Sequence, residues 1–143
     1  MRTEHLQNVH LGWVTAGWLI AAAVTSLVVI AYAAIGIVGP DGSMGTGWSL
    51  LAVLVGFYVG GMFTGFRSMD APILHGVAMG IFSLVAWLVL NLVVTAIFAG
   101  AQWQALTPTG TAAVLLLQMA AAVAGAWTGH TIAARGGPDL RES

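Results

Sequence analysis

The chain has 143 residues, 59% of them hydrophobic and 6% charged, with a formal net charge of -1 and no cysteine. A soluble domain carries about 25% charged residues, so this composition cannot cover a water-facing surface and its solvent is lipid. The missing cysteines exclude disulfides, thiolate metal sites and a Cys nucleophile, and a chain whose only strong bases are four arginines has no polybasic stretch to recruit nucleic acid.

Crossing about 30 Å of hydrocarbon takes roughly 20 apolar residues in a helix, and four stretches qualify. The first runs over 9–38 and stops at Gly39-Pro40, where a helix does not readily continue. It far exceeds the 7–15 residue core of a cleavable signal peptide and reads as a retained helix. A glycine-rich loop over 40–47 leads to the second span, 48–66. Asp70-Ala71-Pro72 opens the third, 71–98, with an acceptor side chain and an early proline, and Gly100 lies just beyond its end. Thr107-Pro108 repeats that start for the fourth, 108–134, which ends at Arg135-Gly136-Gly137-Pro138. The expectation is one all-α integral membrane domain over 1–143.

Arginine is retained on the cytoplasmic side during insertion. With four spans, Arg2, Arg67, Arg135 and Arg141 share one side, whereas the other two loops hold only Asp41. Both termini are therefore expected in the cytoplasm. Trp48 and Trp103 fall near the outer boundary and Trp13 and Trp127 near the inner one, depths that indole rings favour.

Val59-Gly60-Gly61-Met62-Phe63-Thr64-Gly65 in span two aligns without a gap with Val123-Ala124-Gly125-Ala126-Trp127-Thr128-Gly129 in span four, 64 positions on. His10-Leu11-Gly12 and His75-Gly76 mark the starts of spans one and three in a similar way. The pattern reads as two tandem hairpins in the same orientation, with a pseudo-twofold axis along the membrane normal rather than the inverted arrangement commoner in secondary transporters.

Gly61 and Gly65 share one helix face, as do Gly125 and Gly129, which Ala121 extends; Gly56 and Gly60 form a second face on span two, and Gly76 and Gly80 a third on span three. Small-xxx-small faces let backbones approach where lipid removes the hydrophobic drive. They serve packing inside the bundle, or a seam with a second copy or another subunit.

Gly60-Gly61-x-x-x-Gly65-x-Arg67, a short linker, and Leu74-His75-Gly76-x-x-x-Gly80 together resemble the uncharacterised YrzE-like family of small four-helix bacterial membrane proteins, over nearly the whole chain. The resemblance implies a four-span topology in a bacterial inner membrane and no established activity. Span four departs from it, running Gly125-x-x-x-Gly129-His130 and reaching its arginine only at Arg135.

No Asp, Glu, Lys or Arg falls at central depth in the four spans, so the intramembrane charge usual in proton pumps, cation-coupled carriers and voltage sensors is missing. Ser26 and Ser83 have no carboxylate and histidine at matching depth for a triad. His5, His10, His75 and His130 lie toward the cytoplasmic side, and imidazoles there can ligate a metal or tetrapyrrole, with His10, His75 and His130 as the candidate set; yet a His at a helix end commonly bonds interfacial water or a loop carbonyl, no His-x-x-x-His or Glu-x-x-His spacing is present, and the expectation is no metal and no cofactor. Asn91 and Gln118, with Thr25 and Thr95, are the most polar residues within spans and serve as glue between helices. Arg67 and Asp70 bracket the middle cytoplasmic turn and offer a docking point to a partner's loop.

The expected function is accordingly non-enzymatic: an accessory or structural subunit, or an assembly factor, packed against a larger membrane complex, with lipid and other subunits or further copies as partners. A small oligomeric channel or carrier lined by Asn91, Gln118 and threonines is the first alternative. A protein binding a cofactor through its histidines is the second.

Overall fold

A computed structural model of the chain describes residues 9–68, 71–97 and 108–135. Among these residues the structure is all-helical, with α1 over Leu11–Ala34, α2 over Thr46–Arg67, α3 over Pro72–Ile97 and α4 over Pro108–Arg135. Each helix is long and apolar enough to cross a membrane, with mean hydropathy from 1.6 to 2.2; the chain has the make-up of a multi-pass membrane protein.

The helix ends follow local chemistry. α1 stops at Ala34, before the expected Val38, because Gly36 turns the chain at a φ of +79°, a conformation glycine adopts without steric cost. The Gly36 N–H donates to Ala33 O and the Ile37 N–H to Tyr32 O, the Schellman pattern that uses up a helix's last free carbonyls. Gly39-Pro40 then forms a separate tight turn, closed by the Gly42 N–H donating to Gly39 O at 2.9 Å. α2 begins two residues before Trp48, where Gly45 O accepts from the N–H groups of Trp48 and Ser49. Pro72 opens α3 and Pro108 opens α4, positions where a missing N–H costs nothing. Arg2, His5, Asp70, Phe98, Gly100, Trp103 and Arg141 lie outside the described residues.

In the turn between α1 and α2, the Asp41 carboxylate accepts from the Ser43 hydroxyl at 2.6 Å and from the Ser43 N–H at 3.1 Å. These bonds, the hydroxyl's first, hold its pKa below the ordinary value of 3.8. A depressed carboxylate pKa stabilises the folded turn above the unfolded value and loses that contribution as pH falls through the folded one. The amide resonance of Ser43 is therefore expected to shift only as pH falls below the ordinary carboxylate range, with Asp41→Asn removing the transition in an NMR titration.

α2 is the central helix, packed most extensively on α4 and then on α1, while α3 packs on α4. Buried Val14, Ala21, Phe57, Met79 and Ala122 form the core. Around it Trp18 meets Phe82 edge to face at 5.3 Å, tying α1 to α3. These contacts gather toward the end of the bundle bearing Arg67 and Arg135. Beyond it α3 leaves the others: Leu84, Val85, Trp87, Leu88, Val89, Leu90, Leu92 and Val93 are all exposed. A helix stretch exposing apolar side chains all round requires lipid or another helix about it. Its departure opens a groove against α1 lined by Trp18, Phe82, Val85, Ala86, Val89 and Val93.

Candidate functional site

α2 and α4 approach so closely that backbone meets backbone, because each sets two glycines against the other's main chain. The carbonyl oxygen of Ala122 stands where a Cβ on Gly61 would be, and that of Ala126 does the same at Gly65; from the other side, Tyr58 O fills that place at Gly125 and Met62 O at Gly129. The contacts are reciprocal. Tyr58, Gly61, Met62 and Gly65 of α2 correspond, 64 positions on, to Ala122, Gly125, Ala126 and Gly129 of α4. Carbonyls set against glycine Cα groups allow Cα–H···O contacts of about 0.5–1 kcal/mol each, and close backbones add dispersion where lipid gives no hydrophobic drive. Ala121, one turn before Gly125, is half-buried against the core cluster that includes Phe57 of α2, and the carbonyl of the adjacent Ala122 meets Gly61.

Gly56 and Gly60 serve α1. A Cβ on Gly56 would strike the Thr25 hydroxyl and one on Gly60 the carbonyl of Gly17, while a Cβ on Gly17 would strike Thr64. Pairing Gly17 with Thr64, Ala21 with Gly60 and Thr25 with Gly56 rises by four along α1 as it falls by four along α2, as antiparallel helices require. Gly76 and Gly80 face α4, where a Cβ would stand 2.6 Å from the Cα of Val123 and 2.8 Å from the Cβ of Met119 respectively.

The histidines fall in different settings. His75 is fully buried. Its Nδ1 lies 2.7 Å from the carbonyl of Ala71, which can only accept, so Nδ1 carries the proton and Nε2 is the acceptor. Nε2 receives the His10 N–H at 3.2 Å and the Ser68 hydroxyl at 3.1 Å. One imidazole thus holds the residue capping α1, the residue closing α2 and the first turn of α3. It satisfies one of the free N–H groups that every helix start presents. The His10 ring is exposed, 6.4 Å from that of His75. His130 sits on α4 against Trp127, and its Nδ1 is buried with no hydrogen-bond partner among the described residues. No three His, Asp or Glu side chains among the described residues gather closely enough to hold a metal ion.

Other polar groups pair within the bundle. Ser83 donates to Gln118 Oε1 at 3.2 Å between α3 and α4, and the Tyr58 hydroxyl donates to Thr128 at 3.1 Å between α2 and α4. Asn91 lies on α3, and its side chain falls outside the described residues. The Arg67 guanidinium lies 5.0 Å from the Trp13 ring centroid, a cation–π geometry that leaves it exposed. Removing either pair should cost little, since interhelical hydrogen bonds in membranes average about 0.6 kcal/mol. Tyr58→Phe and Ser83→Ala are each expected to lower stability by about that amount in a denaturing-detergent titration.

Three of these partnerships were not legible as partnerships in the sequence: Tyr58 with Thr128, Ser83 with Gln118, and Ser68 with His75 and the His10 backbone. Ser68 carried one signal, a hydroxyl seven residues before a histidine in a short turn between two glycine-rich helices. No family model, curated protein or solved structure matches this chain.

Proposed function

We propose that this protein is a non-enzymatic accessory subunit of a larger membrane complex, built as two tandem hairpins with both termini in the cytoplasm of a bacterial cell. The observation that carries the reading is where its polar groups go. The hydroxyls of Thr25, Ser26, Thr64 and Thr131 donate to carbonyls of their own helices, Ser83 is taken by Gln118 and Tyr58 by Thr128, and both nitrogens of His75 are engaged. Chemistry in a membrane needs polar groups aimed at a substrate or a wet path; among the described residues these groups bond within their own helix or to a neighbouring one. Much of what the bundle presents outward is apolar, above all the far half of α3.

The duplication draws support from the reciprocal seam, in which corresponding residues of α2 and α4 exchange the same carbonyl-on-glycine contacts. The orientation rests on the arginines, of which Arg67 and Arg135 end α2 and α4 and follow the retention of arginine in the cytoplasm. The YrzE-like resemblance agrees with this topology. Arg67, exposed over Trp13, is the group on that side best placed to meet an acidic loop of the partner.

Deleting the protein and quantifying the membrane proteome tests the reading. A fall in the abundance of one larger membrane protein, restored by the wild-type chain, is expected. Unchanged abundances with loss of a single solute's flux would instead establish the channel or carrier alternative.

A further inference from the structure

Among the described residues His75 is the one titratable side chain that is fully buried, and each of its hydrogen bonds specifies the neutral ring. Nδ1 donates to Ala71 O at 2.7 Å, and Nε2 accepts from the His10 N–H at 3.2 Å. The Ser68 hydroxyl lies 3.1 Å from Nε2 and 3.3 Å from Nδ1. An imidazolium donates at both nitrogens, so a proton on Nε2 leaves the bond to Ala71 intact and acts on the other two partners in opposite ways. Ser68 adapts, because a hydroxyl has lone pairs as well as a hydrogen and rotates from donor to acceptor. The His10 N–H does not, because a backbone amide only donates. Two N–H groups would then face each other across 3.2 Å. The charged ring can keep Ala71 and Ser68 but not His10.

We propose that His75 is a proton-operated latch: with a proton on Nε2 it lets go of the His10 N–H, and the start of α1 detaches from the end of α2 and the start of α3. The segment it would free is otherwise lightly held. His10 has no side-chain cap bond, Leu11 is 73% exposed, and Gly12 has nothing within 4 Å of an added Cβ. Trp13, against Phe63 and under Arg67, and buried Val14 mark where firm packing begins. Nothing among the described residues offers the charged ring a counter-ion. From α1 it meets the exposed His10 ring, centroids 6.4 Å apart, which is neutral or positive. From α2 comes Arg67, next to Ser68, with its guanidinium over Trp13. α4 sets Val123 against the neighbouring Gly76, and its His130 rests on Trp127. Asp41, the one carboxylate among the described residues, lies in the turn at the far end of α1; Asp70 lies outside them. The latch goes beyond the accessory-subunit reading and does not depend on it.

The test is an NMR titration of the full chain in lipid bicelles, reading two signals from the same samples as the pH is lowered. Ring nitrogen-15 shifts of His75 distinguish the neutral tautomer from the imidazolium, and amide hydrogen exchange, corrected for its intrinsic pH dependence, gives the protection at residue 10. Protection there is expected to fall at least about tenfold in step with the imidazolium signal, while the Ala21 amide in the middle of α1 stays protected. His10→Ala, which removes the second ring and keeps the backbone N–H, is expected to retain the step. His75→Gln, whose amide oxygen accepts without titrating, is expected to abolish it. A charged His75 with residue 10 still protected overturns the latch. So does a ring that stays neutral at every pH at which the bundle is folded, a loss shared with Ala21, or a step that survives in His75→Gln. Should His75→Gln fail to fold, the wild-type pair of signals and His10→Ala decide the matter, since a step lost in His10→Ala assigns the effect to the wrong ring and overturns the proposal.

Discussion

Replacing Gly125 by alanine is expected to lower the stability of the bundle by about 3 kcal/mol, and by leucine to prevent the native fold from forming, because the added carbon has nowhere to go. Its Cβ would occupy the position of the Tyr58 carbonyl oxygen, and a backbone atom cannot swing aside as a side chain can. α2 and α4 would have to separate, losing at once the contacts at Gly61, Gly65 and Gly129. Gly61→Ala should do similar damage from the opposite side, through the Ala122 carbonyl. The controls lie in the same chain: Gly12 and Gly47 are helical glycines with nothing within 4 Å of an added Cβ. Alanine there should be harmless or should gain up to about 1 kcal/mol of helix propensity. Unfolding by denaturing-detergent titration in mixed micelles separates the two groups; equal effects at Gly125 and Gly12 would mean that the seam does not hold the bundle.

His75→Leu is the second large effect, expected to cost about 3 kcal/mol. Leucine fits the volume but leaves the His10 N–H and the Ser68 hydroxyl facing an apolar group, and an orphaned buried donor costs about 1–3 kcal/mol. The other histidines set the contrast. His10→Ala keeps the backbone N–H that His75 uses and removes an exposed ring, so it should fall within about 0.5 kcal/mol of wild type. His130→Leu removes a buried nitrogen that has no partner among the described residues, and should be neutral or slightly stabilising. Hydrogen exchange at the His10 amide reports the clamp directly: faster in His75→Leu, unchanged in His130→Leu. Histidines sharing a metal or tetrapyrrole would fail together, and with a spectral change.

The four helices were legible because lipid imposes a length and a composition on anything that crosses it, and 59% apolar residues in four runs leave little choice. The glycine faces were legible too, since four-residue spacing places residues on one side of a helix regardless of its neighbours. Which neighbour each face meets was not. Nothing in Gly56-x-x-x-Gly60 says α1, or in Gly76-x-x-x-Gly80 says α4; that is settled by how the four helices turn about their axes together. The end of α1 was misplaced for a related reason: Gly36 and Gly39 both signal a stop, and the Schellman bonds of Gly36 and Ile37 close the helix first. His75 was read as a helix-end group bonding water or a loop carbonyl, and the carbonyl is there, Ala71 O at 2.7 Å from Nδ1; its complete burial was not foreseen. Its burial follows from the packing of the start of α3 against His10 at the start of α1 and Ser68 at the end of α2, a tertiary consequence absent from local pattern.

The measurement closest to the central claim is a native mass spectrum of the particle released from its own membrane without dissociating detergent. An accessory subunit predicts a fixed ratio of this 14.7 kDa chain to a larger membrane protein. A spectrum containing only whole multiples of 14.7 kDa would contradict the account and identify a self-contained assembly.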